Sequence, residues 1–412
     1  MKFRHRFLLP TAFLVSFASI LAVHAAQPLA QDYTVVFHNP DPEYYVEGCG
    51  LTKLDDGTLL AAVPVVPREQ WSEERRAEHS VVHILRSTDA GKTWRAASDL
   101  PYYSAAPWVE RGVLFLFANK AGIGKARNAD LLLLRSIDGG RTWSEPVTLF
   151  KGYYWNCDTG MVHRDHRIYW AVDDMSFGMN RGPRLVAGDL STDPMAPENW
   201  RISEAVRFPG APEALWDPKN AQQPSQYLEP NVVEVNGKLR VLAAVKIKRP
   251  TVANLCALLD AEDDDKKLDL KFNRYSAMPG GQLKFCVFHD DVSKLFWATA
   301  NLVTDPEDSM GWQAAAKEHG KYKAPASDRR FLMLLYSADG LDWFQAGCVA
   351  QAKKISQSFM YARPIIVGED LAIIARSSVN APNQHDADYA TFHRVKNFRK
   401  LALNLAPEPE EK

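Results

Sequence analysis

The chain has little excess charge and few cysteines, and both shortages narrow the range of its functions. Its 412 residues carry a formal net charge of -1, so no long-range attraction draws it to nucleic acid or to an acidic membrane surface. Its 5 cysteines are scattered and form no CxxC pair. A disulfide framework is therefore not expected, and most of the cysteines are predicted to be buried thiols within strands.

Long hydrophobic runs are also missing after the first residues. Cations near the start precede an apolar stretch over 7–21, and small residues follow it. This pattern predicts a cleavable signal peptide over 1–25, and no later stretch reaches the roughly 18 apolar residues that a membrane-spanning helix needs. We therefore predict a secreted or periplasmic protein with no membrane span, one domain over 26–400, and a disordered tail over 401–412.

Helical periodicity is weak along the chain, and only 67–78 reads as a helix. Elsewhere, short polar turns lead into apolar strands in six successive units, and these strands begin near Thr58, Val113, Ile168, Leu239, Leu295 and Leu371. The fold class is therefore all-β. The β-prone runs at the two ends, 33–37 and 390–395, are predicted to pair in one sheet and to close a ring.

A turn motif recurs at the spacing expected of repeated sheets. Segments 87–94 and 136–143 both fit S-x-D-x-G-x-x-W, and their serines lie about 50 residues apart. Degenerate copies begin at Ser191 and Ser337, and 260–268 keeps only acidic turn residues. Each copy follows a strand-like run, which places it in a hairpin turn. There Asp and Ser can bond backbone amides, Gly supplies a positive φ, and Trp packs between sheets.

The two complete motifs resemble the Asp-box, or BNR repeat, of the sialidase (neuraminidase) superfamily, and the strand rhythm extends the resemblance over nearly the whole chain. The resemblance implies a six-bladed β-propeller and an exported glycoside hydrolase that removes a terminal sugar from a glycan. It also implies that the site lies where the innermost strands begin. Counted back from the turns, those positions are Glu47, Tyr103, Asp158, Glu229, Lys284 and Tyr361.

Two of these positions match the catalytic pair of sialidases. By resemblance, Glu229 acts as the base and Tyr361 attacks the anomeric carbon in a retaining mechanism. A phenol has a pKa near 10 and is a poor nucleophile until a neighbouring carboxylate takes its proton. The acid that protonates the leaving oxygen is expected in the loop over 67–79, with Glu78 or His79 as the first candidates.

The resemblance also implies a clamp of three arginines for the carboxylate of sialic acid, and here the sequence departs from it. Glu47 stands at the first position and Lys246 at the second. Arg363 and Arg376 remain near the last inner strand, and Arg376 is the candidate to bind an acidic sugar. A carboxylate would thus meet a negative charge and an ammonium rather than two guanidinium forks. We therefore expect a terminal sugar, acidic or not, that is no ordinary sialoside.

Further polar residues are predicted to bind substrate. Asp158 and Lys284 each begin an inner strand, and an aromatic residue precedes Asp158. His385 and Asp386 lie in a polar loop. With Asp388 this loop carries metal-ligand types, but their spacing matches no metal motif. No cofactor is therefore expected, although a structural calcium stays open.

Two other functions remain open at this point. A polysaccharide lyase or a histidine-based glycosidase would use His385 or His79 with Tyr361 on a uronic acid. A non-catalytic glycan-binding propeller would instead use the aromatic rings of Trp108, Trp155 and Tyr361. In each of the three readings the partner is a glycan.

Overall fold

The computed structural model describes residues 27–68, 73–120, 129–210, 226–247, 253–304 and 325–403. In them the chain forms six antiparallel sheets, which are the blades of a propeller. The all-β, six-bladed prediction is confirmed. The proposed signal peptide and most of the predicted tail lie outside the described residues.

The first strand, β1 (Thr34–His38), belongs to the last blade, and blades one to three follow it in chain order. Blade one consists of β2 (Tyr44–Val46), β3 (Gly50–Lys53), β4 (Leu59–Pro67), β5 (Val81–Ser87) and β6 (Arg95–Leu100). Blade two consists of β7 (Ser104–Glu110), β8 (Val113–Asn119), β9 (Leu131–Ser136) and β10 (Val147–Phe150). Blade three consists of β11 (Tyr154–Trp155), β12 (Val162–Arg164), β13 (Arg167–Asp174), β14 (Gly182–Asp189) and β15 (Trp200–Ile202).

Blades four to six have the same plan. Blade four consists of β16 (Gln226–Val235), β17 (Lys238–Lys246), β18 (Leu255–Asp263) and β19 (Leu268–Ala277). Blade five consists of β20 (Cys286–Asp290), β21 (Leu295–Leu302), β22 (Phe331–Ser337) and β23 (Phe344–Gln351). Blade six consists of β24 (Ser358–Val367), β25 (Asp370–Ser378) and β26 (Tyr389–Val395), with β1 as its outer strand. The first strands of the blades line the axis, where β16 contacts β20, β20 contacts β24, and β24 contacts β3.

Within the described ranges, helical structure is confined to short segments. The α-helix α1 covers Glu73–His79, and 3-10 turns cover Met175–Asn180, Pro197–Asn199, Pro325–Ser327 and Phe398–Leu401. The prediction of a helix from residue 67 was wrong at its start, because β4 continues as a fully buried strand through Pro67. No helix among the described residues is long and apolar enough to cross a membrane.

The two ends of the chain close the ring, as predicted. Strand β1 pairs antiparallel with β26, with Thr34 opposite Phe392. Just before β1, the N–H groups of Leu29 and Ala30 donate to the carbonyls of Cys348 and Val349 in blade five, at 2.8 and 2.9 Å. The N-terminal segment therefore joins blades five and six.

The repeated motif forms hairpin turns that dock one blade on the next. In blade one, Ser87 Oγ donates to Asp89, whose carboxylate accepts from Thr93 N–H at 2.9 Å. Gly91 has φ +90°, and a Cβ there would lie 2.2 Å from a ring atom of Phe392 in blade six. Only glycine fits this close approach in this conformation.

The described cysteines are all free, and four of the 5 are buried. Burial raises the pKa of the Cys49 thiol to about 12 and that of Cys157 well above its ordinary value. These thiols are therefore protonated and unreactive at neutral pH.

Candidate active site

The six predicted inner-strand positions lie where the innermost strands meet at one end of the axis. Glu47 follows β2, Tyr103 precedes β7 and Asp158 follows β11. Lys284 precedes β20, while the other two positions lie inside β16 and β24. We call the space that they surround the central depression.

Glu229 and Tyr361 contact each other across this depression. The hydroxyl of Tyr361 donates to Oε1 of Glu229 at 2.6 Å, although 132 residues separate the two in sequence. Burial, followed by the charges of Glu229 and Glu47, raises the pKa of Tyr361 well above its ordinary value. The phenol therefore stays protonated at neutral pH, and its proton points at a carboxylate that can accept it.

Both residues of this pair lie in β-bulges. The register between β16 and β17 shifts after Leu228, and that between β24 and β25 shifts after Met360. Glu229 and Tyr361 each have φ 51°, whereas the other described non-glycine residues with positive φ lie in turns or bends. Such a conformation costs a non-glycine residue about 1–3 kcal/mol, and bulges commonly redirect side chains at active sites.

Buried polar groups hold the bulge at Glu229. Its N–H donates to Oδ2 of Asp173 at 3.0 Å, and the same oxygen accepts from Arg181 at 3.0 Å. Burial raises the pKa of Asp173 to about 6, against the lowering effect of Arg181. Asn231 adds a bond from its amide to the carbonyl of Glu229, at 3.2 Å. The bulged backbone groups thus have partners despite leaving the ladder.

The bulge at Tyr361 is held in a similar way by blade five. The carbonyl of Ala362 accepts from Lys284 Nζ at 2.7 Å and from Thr299 Oγ1 at 3.1 Å. Lys284 is only 4% exposed. Its contacts do not support its predicted role as a substrate ligand. Lys284 instead holds the backbone next to Tyr361.

Glu47 forms an ion pair with Arg376. One guanidinium nitrogen donates to Oε1 of Glu47, and the other donates to the carbonyl of His385 at 2.5 Å. The guanidinium also stacks between the rings of Tyr45 and Tyr361, with its Cζ 5.0 Å from each centroid. Arg376 is fully buried, so the prediction that it binds an acidic sugar is not supported by its contacts.

Asp158 also differs from its predicted role. Its carboxylate accepts from Leu51 N–H at 3.1 Å and forms an ion pair with Arg363 at 2.9 Å, so it ties blade three to blades one and six. It has no exposed surface, and burial raises its pKa against the lowering effect of Arg363. A residue without exposed atoms cannot grip a sugar hydroxyl.

Helix α1 turns Arg76 toward the depression. Arg76 donates to the hydroxyls of Tyr45 and Tyr103, both at 3.1 Å. At 100° a residue, Glu78 lies roughly 160° from Arg76 around the helix, while His79 lies roughly 60° from it. Both side chains are exposed. The prediction of Glu78 as the acid is thus disfavoured by the helix geometry, whereas His79 lies on the side of Arg76.

The remaining predicted residues lie at the rim. Lys246 ends β17 opposite Gln226 and is half-buried. His385 Nδ1 lies 3.0 Å from Oδ1 of Asp386, and Oδ2 of Asp386 pairs with Arg68 at 3.0 Å. Burial and the charge of Arg376 lower the pKa of His385 well below its ordinary value, so its ring is neutral.

The polar loop shows no metal-binding arrangement. Asp388 accepts from the N–H groups of Val379 and Asn380, at 2.8 and 3.0 Å. Among the described residues no group of three or more His, Cys, Asp or Glu side chains could hold a metal ion.

Several residues of the depression were not found from the sequence. Arg76, Asp173, Arg181 and Arg329 are all buried near the inner strands. Arg329 affects the pKa of both Tyr361 and His385 by its charge. In an antiparallel blade the second strand ends, and the third begins, at the same edge as the first strand begins. Counting these positions would have found Asp173, Arg181 and Arg329.

Comparison with known proteins places the fold. No protein-family model and no curated protein matches the sequence. Solved structures share its fold: a sialidase of Trypanosoma rangeli in complex with sialic acid has a TM-score of 0.55 at 14% identity, covering 90% of this chain and 58% of the sialidase. The chain has the six-bladed fold of the sialidases.

Two other structures match this sialidase-type propeller over almost their full length. An α-L-arabinofuranosidase of Fusarium graminearum, solved with an iminosugar inhibitor, has a TM-score of 0.53 at 11% identity, covering 89% of this chain and 98% of the enzyme. A protein of unknown function from Dyadobacter fermentans has a TM-score of 0.57 at 12% identity, with the same two coverages. Identities this low show the fold and leave the substrate to the site itself.

Proposed function

We propose that the protein is an exported, retaining exo-glycosidase in which Tyr361 is the nucleophile and Glu229 is its base. The observation that carries the proposal is the 2.6 Å hydrogen bond between the two side chains. The fold adds support, since two of the similar structures are a sialidase and an arabinofuranosidase, both glycosidases.

The reaction would run in two displacements. Glu229 accepts the phenolic proton as Oη of Tyr361 attacks the anomeric carbon, and the bond to the leaving oxygen breaks as an acid protonates that oxygen. Water then attacks the anomeric carbon of this aryl glycoside from the opposite face. Tyr361 leaves and recovers its proton from Glu229. Two inversions give net retention of configuration.

The proton donor to the leaving oxygen is proposed to be His79. Its helix is anchored over the depression by Arg76, which contacts two inner-strand tyrosines. His79 is exposed and lies on the Arg76 side of that helix. A histidine in this place can both donate a proton to the leaving group and later accept one from water.

The alternative functions have less support. A binding-only propeller would not need two non-glycine residues held at φ 51°, which costs about 1–3 kcal/mol for each. A lyase needs a cation for the carboxylate of a uronic acid, yet Arg376 is fully buried and paired with Glu47. Both observations favour the hydrolase.

The test is Tyr361→Phe, assayed with nitrophenyl glycosides of arabinofuranose, rhamnose, galactose, glucuronic acid and sialic acid. We expect wild type to release at least one sugar, and the variant to lose at least about a thousandfold in rate with its affinity for that sugar unchanged. A fluorinated analogue of the released sugar should label Tyr361 in wild type, as mass spectrometry of peptides would show.

The matched control is Tyr336→Phe, which removes the hydroxyl of a buried tyrosine in blade five whose bond is to the Leu403 N–H, at 3.3 Å. This variant should keep the wild-type rate. A Tyr361→Phe enzyme that still turns over at a near-normal rate would exclude Tyr361 as the nucleophile.

A further inference from the structure

Four described cations near Tyr361 are buried, and the protein itself supplies their partners. Arg76, Arg329 and Lys284 are 7%, 5% and 4% exposed, and Arg376 has no exposed surface. Their described hydrogen bonds go to protein acceptors. Arg76 donates to the Pro67 carbonyl and to two tyrosine hydroxyls, and Arg329 donates to the Ser327 carbonyl. Lys284 donates to the Ala362 carbonyl, and Arg376 donates to Glu47 and to the His385 carbonyl. A substrate anion would have to displace these acceptors.

Arg376 shows most clearly how the protein occupies its own anion site. The guanidinium is sandwiched between two aromatic rings, one of them that of Tyr361, and one of its terminal nitrogens donates to Glu47. Glu47 is fixed in turn, because its Oε1 accepts from the N–H of Gly48 at 2.9 Å. The Glu47 carboxylate therefore fills the place in which a substrate carboxylate would meet Arg376.

The inner strand that carries Tyr361 holds a second arginine with an acidic partner, two residues after Tyr361. Arg363 pairs with Asp158 at 2.9 Å and also donates to Cys286 Sγ at 3.3 Å. Its side chain is 13% exposed and that of Asp158 is not exposed at all. The two arginines of blade six nearest the nucleophile are thus neutralised by acids of blades one and three.

Like charges also oppose an acidic substrate here. The Glu229 carboxylate lies 2.6 Å from the Tyr361 hydroxyl, and Glu47 lies on the guanidinium that covers the Tyr361 ring. A substrate carboxylate on the attacked carbon would become a third anion at a poorly solvated place, which is unfavourable without a cation of its own.

We propose that the sugar held against Tyr361 is neutral, with no carboxylate on its ring, and that Glu47 determines this specificity by occupying Arg376. The proposal rests on the proposed glycosidase function for the identity of the site. It excludes sialosides and glucuronides as substrates and names neutral furanosides and pyranosides in their place.

The first experiment compares binding with turnover on the same probes. Binding to Tyr361→Phe is measured by calorimetry with the nitrophenyl glycosides of arabinofuranose, rhamnose and galactose, and with those of sialic acid and glucuronic acid. We expect at least one neutral probe to bind about tenfold or more tightly than either acidic probe, and wild type to release only neutral sugars.

The second experiment removes the anion. Glu47→Gln leaves Arg376 without its carboxylate, so binding of the sialic acid and glucuronic acid probes should tighten about tenfold. Glu198→Gln, the same change at an exposed position on the outer part of blade three, should leave all affinities unchanged. If Glu47→Gln does not fold, the wild-type comparison of neutral and acidic probes still decides the proposal.

The outcomes separate this proposal from the glycosidase function. Tyr361-dependent release of an acidic sugar would overturn the neutral-sugar proposal and leave the hydrolase standing. Binding of neutral probes without any release would overturn the hydrolase and leave the specificity standing. Binding and release of none of the five probes would overturn both, and unchanged acidic-probe affinity in a folded Glu47→Gln variant would overturn the role of Glu47.

Discussion

Tyr361 needs a base because of where it lies. Burial and two nearby carboxylates raise its pKa well above the ordinary value, so the phenolate form is scarce at any physiological pH. In the proposed mechanism, the 2.6 Å contact with Glu229 allows a concerted step, in which the proton leaves Tyr361 only as the new bond forms. The same carboxylate would then return the proton to the departing phenol.

The acid can be tested at the residue scale with two neighbouring variants. We expect His79→Asn to slow about a hundredfold or more the cleavage of a glycan whose leaving group is another sugar. The variant should have little effect on a nitrophenyl glycoside, because nitrophenolate leaves without protonation. Glu78→Gln serves as the matched control, since its side chain points roughly 160° away from that of Arg76. Equal rates for His79→Asn and wild type on the glycan with a sugar leaving group would remove His79 from the mechanism.

The strands that carry Glu229 and Tyr361, β16 and β24, are irregular. Bulges in β16 and β24 free backbone groups from the ladder, and side chains from other blades bind those groups. Asp173 takes the N–H of Glu229, and Lys284 takes the carbonyl that follows Tyr361. Glu229 and Tyr361 are therefore each positioned by a blade to which they do not belong.

The support of the Glu229 bulge leads to a prediction for Asp173→Asn. Loss of this charge leaves the buried Arg181 without its partner, so we expect unfolding to become easier by about 3–5 kcal/mol. A displaced Glu229 should also lower kcat for each folded molecule, with KM little changed. Urea unfolding and steady-state kinetics on the released sugar would measure the two effects.

Asp174→Asn is the matched control for this variant. Asp174 is also buried and also pairs with an arginine, Arg184, at 2.7 Å, but it lies on the opposite face of β13 from Asp173. It should lower stability and leave kcat unchanged. Equal losses of kcat in both variants would show that Asp173 supports the blade and not the position of Glu229.

At the scale of the whole molecule, the ring is closed by a buried histidine as well as by strand pairing. His393 in β26 lies with Nδ1 2.8 Å from the carbonyl of Ala30 and Nε2 3.0 Å from Thr391 Oγ1. Burial lowers its pKa to about 4. The neutral ring, with its proton on Nδ1, satisfies both partners and ties the N-terminal segment to blade six.

The lowered pKa of His393 predicts how the free energy of unfolding depends on pH. In the unfolded chain its pKa returns to about 6.5, so between pH 6.5 and 4 the unfolded state binds a proton that the folded state does not. Stability should therefore fall as the pH drops through this window, by about 3 kcal/mol from His393 alone. Urea unfolding at several pH values would measure the change.

His393→Asn should remove the share of this dependence that His393 contributes, since an asparagine can keep the donor to Ala30 and does not titrate. His385, whose pKa is also lowered, should leave a remaining slope of the same sign. The half-exposed His289, changed to Asn in the same way, should leave the dependence as in wild type. A slope in His393→Asn equal to that of wild type would show that His393 does not contribute to the pH dependence.

The sequence by itself determined the features that depend on near neighbours in the chain. Alternating apolar strands, and turns in which Ser87, Asp89 and Gly91 bond within a few residues, gave the six blades and the closing pair of ends. The resemblance carried by those turns then placed Glu229 and Tyr361 at facing inner strands. Local hydrogen bonding and side-chain period are properties of short segments, so they can be read without the fold.

Only the tertiary structure decided which partner each charged group takes. Glu47 and Arg376 are 329 residues apart, and whether the arginine faces a substrate or an acid of its own chain depends on how the ring closes. The bulges that redirect Glu229 and Tyr361 depend likewise on groups from other blades, such as Asp173 and Lys284. Burial sets the strength of such pairs and the position of a buried proton, and burial exists only once distant segments have packed together.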